Sequence, residues 1–139
     1  MKECVVIIRA VDNIVEEVPV EVQPETDLEE LAKSLINASS VKRITPDGLM
    51  GKYSLYVINE ENDNLPLNYN ASVLATLGKQ FTAICGDAVA VRLDPEGKTK
   101  TTRIKDTPEI KRLIRAAEIR LNNMRKQNNE KSRWHKLFV

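Results

Sequence analysis

Val18-Pro19-Val20-Glu21-Val22-Gln23-Pro24-Glu25-Thr26-Asp27-Leu28-Glu29-Glu30-Leu31-Ala32-Lys33-Ser34-Leu35-Ile36 contains the end of a strand, a sharp corner and a helix. Val18, Val20 and Val22 alternate with Pro19 and Glu21, the spacing of a strand with one buried face. Pro19 has no N–H to give to a ladder, which predicts an edge strand. Thr26 with Glu29 three residues on predicts a capping box that satisfies the free N–H groups of a helix start. Leu28, Leu31, Ala32, Leu35 and Ile36 then share one helical face, which predicts a sheet beneath them.

Outward from that stretch, strands are predicted on both sides. Cys4–Val11 is a β-branched run, and Asp12-Asn13 supplies a turn into Ile14–Val22. Downstream, the helix fades at Asn37-Ala38-Ser39-Ser40, and Pro46-Asp47-Gly48 with Gly51 predicts a loop before a strand at Tyr53–Ile58. Asn59–Asn64 is a polar turn, and Leu65-Pro66-Leu67 is at most a short, proline-shielded strand. Ser72–Leu77 predicts a single helical turn, after which Phe81, Ala83 and Ile84 return to the core. Gly86-Asp87 leads into Ala88–Leu93, a cleanly alternating strand. The first and last strands are the most apolar, so they are expected side by side at the sheet centre. The helix at 28–36 is expected to be the only one in the first hundred residues.

The length of 139 residues suits one domain and an appendage. A domain of about 95 residues buries roughly two-thirds of its unfolded surface, enough for one core. The apolar runs are too short to span a bilayer, and Met1-Lys2-Glu3-Cys4-Val5 does not resemble a signal peptide. Cys4 and Cys85 do not make a disulfide framework and are expected to be reduced, in a cytoplasmic chain. Charge is divided unevenly. Residues 1–97 carry 8 Lys/Arg against 16 Asp/Glu, and residues 98–139 carry 13 against 4.

Catalytic patterns are missing from the sequence. It has no Gly-rich phosphate loop, no Cys-x-x-Cys and no His-x-x-x-His, and its one histidine is His135. Glu16, Glu17, Glu29, Glu30, Glu60 and Glu61 fall on predicted solvent faces and turns. No enzyme, no cofactor and no metal site is expected.

The element order β-β-α-β-β-turn-β resembles a ubiquitin-like β-grasp domain. Val20–Leu28 is similar to the family's strand, Pro, Thr and helix start. Thr76-Leu77, Phe81, Ile84 and Val89-Ala90-Val91-Arg92-Leu93 resemble its closing segment. The resemblance implies an α+β fold over residues 1–94, a mixed sheet of four to five strands with one packed helix. A linker over 95–106 and a C-terminal amphipathic helix with an aromatic tail over 107–139 would follow. It is most similar to small bacterial ubiquitin-like proteins, accessory proteins of type VII secretion included. A ubiquitin-type modifier ends in two glycines soon after its last strand. Here Gly97 stands alone and 42 residues follow it. A modifier precursor processed near Gly97 is therefore an alternative reading. On the sheet, Tyr56, Ala90 and Arg92 are expected to face solvent, with Tyr56 and Arg92 either an interface anchor pair or ordinary strand surface.

In the appendage, Thr107-Pro108-Glu109 is a strong helix start. Ile110, Leu113, Ile114, Ala117, Leu121 and Met124 form an apolar stripe, with Lys111, Arg112, Arg115, Arg120, Arg125 and Lys126 around it. Such a stripe folds back on its domain, pairs with a second copy as a homodimer, or docks on a partner. Trp134, Leu137 and Phe138 would share a face if helical, as a docking peptide or as a tail packed on its own domain. The leading expectation is a non-enzymatic protein–protein interaction module, an adaptor whose basic helix docks on a protein of acidic surface within a larger bacterial assembly. Nucleic-acid binding by the basic tail is a weaker alternative, because no aromatic is interleaved along the helix and the acidic domain repels phosphate. Membrane-surface binding is weaker still, since the stripe lacks bulky aromatics.

Overall fold

Alternation over Cys4–Ile8 puts Val5 and Ile7 on one face of a strand and Val6 and Ile8 on the other, and all four are buried. Apolar residues on both faces require cover on both sides, and the fold supplies it. The computed structural model describes residues 3–61, 64–76 and 80–137, with side-chain surroundings through Lys126. Its elements are β1 (Glu3–Ile8), β2 (Val15–Pro19), α1 (Leu28–Leu35), β3 (Val41–Ile44), β4 (Tyr53–Ile58), α2 (Tyr69–Ala75), β5 (Ala88–Leu93), β6 (Thr99–Lys100), β7 (Thr102–Arg103) and α3 (Asp106–Leu137). A 3₁₀ turn at Asp47–Leu49 precedes β4.

The sheet runs β2-β1-β5-β4-β3. As expected, β1 and β5 are central neighbours and Pro19 lies on an edge strand. The expected mixed sheet is corrected, since every strand pairing among the described residues is antiparallel. Register divides the core in two. Val5, Ile7, Tyr56, Val89 and Val91 pack with Ala32 and Ile36 beneath α1. Val6, Ile8, Leu55, Val57, Ala88 and Ala90 pack on the other side, with α2, the 3₁₀ turn and α3. Among the described residues, three helices in two layers around the sheet replace the single packed helix.

Local chemistry explains the element ends. Asp27, rather than Thr26, caps α1, its Oδ1 accepting from the N–H of Glu29 at 2.9 Å and of Glu30 at 3.4 Å. Thr26 Oγ1 instead accepts from Gln23 N–H at 2.9 Å and closes the preceding corner. The fully buried Asn68 caps α2 through Oδ1, which accepts from Ala71 N–H at 3.1 Å. Its Nδ2 donates to Ile8 O at 2.8 Å and Gly86 O at 2.9 Å, joining three segments with every amide hydrogen used. A Cβ at Gly48 would stand 2.8 Å from Leu74 O, so glycine lets the 3₁₀ turn lie against α2.

The expected linker is also corrected. Direct β1–β5 pairing covers Val6–Ile8 and Ala88–Ala90. Beyond it, β6 pairs with the end of β5 and β7 with the start of β1, so residues 99–103 are wedged between the central strands. Thr102, fully buried, donates from Oγ1 to Cys4 O at 3.0 Å. Cys4 is buried beside it, and burial pushes its thiol pKa up, while Cys85 is exposed. Residues 1–94 are consequently not a closed unit, because Ile110, Ile114, Ala117 and Leu121 belong to the same core cluster as Leu55 and Ala90.

Candidate functional site

The apolar stripe of α3 lies on its own sheet. Ile110 is 0 % exposed, Ile114, Ala117 and Leu121 are buried, and Leu113 and Met124 pack half-buried against them. Of the options open to the stripe, folding back is the one realised, and its residues are core rather than a free docking surface. The cations around it are all exposed: Lys111, Arg112, Arg115, Arg120, Arg125 and Lys126. Arg115 pairs with Glu118 one turn on, and the Arg125 guanidinium lies 6.0 Å from the Phe81 ring centroid. The side chains of Trp134, His135, Leu137 and Phe138 lie outside the described residues, although α3 itself runs to Leu137.

At the foot of α3 a polar knot ties the helix to the sheet. The Tyr53 hydroxyl is 2.8 Å from Asp106 Oδ1 and 2.9 Å from Glu109 Oε2. Asp106 Oδ2 accepts from the Arg103 N–H at 2.7 Å, and Lys52 Nζ donates to Glu109 Oε1 at 2.8 Å. Thr107, in the expected helix start, donates from Oγ1 to Glu17 of β2 at 2.5 Å. Burial, then the two acids, push the Tyr53 phenol far up, so it is a donor at any physiological pH. The Lys52 ammonium, then the phenol, hold Glu109 below the usual carboxylate range.

Around this knot opens a cleft of about 620 Å³, with Lys52, Arg92, Arg103, Lys105 and Arg112 on its walls. Sequence reasoning missed it. The cations come from four separate segments: Arg103 and Lys105 stood in the expected linker, Arg92 was expected on the sheet face and Arg112 beside the apolar stripe.

The expected sheet-face pair is taken apart by register. Tyr56 is 6 % exposed beneath α1, with its hydroxyl 3.2 Å from Thr99 Oγ1. Arg92 pairs in register with Tyr53, on the opposite face, and its Nε donates to Thr101 O at 3.3 Å. Tyr56 is therefore a core residue, and only Arg92 reaches a surface. Gly97 sits at φ +82° in the turn between β5 and β6, where its N–H donates to Asp94 O at 2.9 Å. Arg43 Nη1 donates to Gly97 O at 3.3 Å. Cleavage there would separate β6, β7 and α3 from the strand that precedes them.

Among the described residues no group of three or more His, Cys, Asp or Glu is placed to hold a metal. Nor is any described helix long and apolar enough to cross a membrane. No family model, no curated protein and no solved structure matches this chain.

Proposed function

We propose that this protein is a non-catalytic interaction module that presents the basic outer face of α3 to an acidic protein partner. The observation that carries this is the division of α3. Its apolar side is spent on the chain's own core, while six cations stand exposed along the rest. On the other side of the sheet α1 exposes Glu29 and Glu30, the latter paired with Lys33, so the positive charge is concentrated on the α3 side. Such polarity orients an approaching partner and raises association rates. The ubiquitin-like reading, and with it a role as a cytoplasmic adaptor in a bacterial assembly such as a secretion system, belongs to this proposal through element order alone. The all-antiparallel sheet departs from the mixed sheet that resemblance implies. The place of Gly97 in a hydrogen-bonded turn counts against the modifier-precursor reading.

The test is co-purification of the full chain and of an Arg120→Glu/Arg125→Glu variant from the native cell at low and moderate salt. A protein bound by the wild type should be lost from the variant, while the unfolding midpoint stays put. Unchanged retention of that protein overturns the reading. Recovery of nucleic acid in its place, with a steep salt dependence, would transfer the same basic face to phosphate binding.

A further inference from the structure

The cleft at the foot of α3 shares Arg112 with the docking face, but its other cations come from outside the helix. Each of its three carboxylates already accepts at least one hydrogen bond. Asp106 Oδ2 accepts from the Arg103 N–H, and its Oδ1 lies 2.8 Å from the Tyr53 hydroxyl. Glu109 Oε1 accepts from Lys52, and its Oε2 shares with Asp106 Oδ1 the single Tyr53 O–H, which donates to one of them at a time. Asp94 Oδ1 accepts from the N–H groups of Glu96 and Lys98 within its own turn. The cations are in the opposite condition. Lys52 is taken by Glu109, but Arg103, Lys105 and Arg112 form no ion pair among the described residues. Arg92 gives one hydrogen, from Nε, to a backbone carbonyl, and its terminal nitrogens have no hydrogen-bond partner among the described residues.

We propose that this cleft is a binding site for a small phosphate-bearing anion of the diphosphate class. Arg92, Arg103, Lys105 and Arg112, the four cations without an ion pair among the described residues, line one concavity with Lys52 and three carboxylates. That leaves two positive charges in excess, and a singly charged carboxylate would offset only one of them. Three of the four are guanidiniums, whose forked donors fit paired phosphate oxygens. Arg92 and Arg103 are half-buried on strands, so they lose less freedom on binding than surface side chains do. A volume of about 620 Å³ lies within the range of about 300–1,000 Å³ common for small-ligand sites. The carboxylates on the walls admit a compact anion between the cations but oppose a long phosphate chain laid across them.

The experiment is calorimetric titration of the full chain with inorganic pyrophosphate, and with sulfate at matched ionic strength. Arg112→Gln and Lys105→Gln are the site variants, both at exposed positions without ion pairs. Lys111→Gln is the charge-matched control, because Lys111 lines a different groove beside Tyr69. Pyrophosphate should bind saturably at one site, about tenfold more tightly than sulfate, and each site variant should weaken it about tenfold while the control shifts it less than about twofold. Absence of saturable binding, equal affinity for sulfate, or an equal loss in Lys111→Gln would each overturn the proposal. The partner test uses Arg120 and Arg125, which do not line this cleft, and the titration reads pyrophosphate without a partner, so the two readings fail separately.

Discussion

Asn68 and Tyr53 show how much of this fold rests on single polar side chains. Asn68→Ala would leave Ile8 O, Gly86 O and Ala71 N–H without their partners in a fully buried site. Unmade buried hydrogen bonds cost about 1–3 kcal/mol each, so a loss of about 3 kcal/mol or more is expected in urea unfolding. Asn68→Asp should be no better, since a carboxylate cannot donate to either carbonyl. Tyr53→Phe should cost about 2 kcal/mol, by removing the one O–H that stands between Asp106 and Glu109. Glu109 carries the pH dependence. Its folded pKa is depressed, so its contribution is complete above the unfolded value and lost as pH falls through the folded one. Lys52→Met removes the largest cause of that depression. The variant should be less stable than wild type at pH 7 by under about 1 kcal/mol, because Lys52 is mostly exposed. The gap should close as the pH is lowered below the usual glutamate range, as read by denaturant midpoints from pH 7 to 3.

At the scale of elements, α3 is the part whose environment changes the reading most. Ile110, Ile114, Ala117 and Leu121 complete the core on one face of the sheet. Each large aliphatic so buried contributes about 1.5–3 kcal/mol. A chain truncated after Asp94 loses these four, together with β6 and β7, and exposes the face that holds Leu55 and Ala90. It should show no cooperative thermal transition, and a sharp transition in the truncated chain would place α3 outside the folding unit. Leu121→Asp in the full chain should likewise unfold the protein rather than only release a partner.

For the whole molecule, burial of the stripe governs assembly. A homodimer through the stripe would require α3 to leave the core, giving up about 1.5–3 kcal/mol for each large side chain before any gain. Sedimentation equilibrium should return the mass of a single chain at micromolar concentration. A dimer abolished by Leu113→Asp, with the monomer still folded, would show that the helix exchanges between copies.

Local order determined several features without reference to the rest of the chain. The β-branched run at Cys4–Ile8, the edge strand marked by Pro19, the capped helix near Leu28 and the long amphipathic helix after Pro108 are all legible, because periodicity and capping act within one turn or one strand. β3 escaped notice, since Val41-Lys42-Arg43-Ile44 is too short for a period and forms only by pairing with β4. α2 was expected as a single turn, because its cap, Asn68, is recognisable only through partners at Ile8 and Gly86. Strand direction, the wedge of residues 99–103 between β1 and β5, and the seat of the α3 stripe were decided by tertiary structure alone. An amphipathic face specifies that something apolar must cover it, but not which surface does so. Nor does local sequence order bring Arg92, Arg103 and Arg112 to one cleft. Their proximity comes from strand pairing and helix packing, which join segments that are remote along the chain.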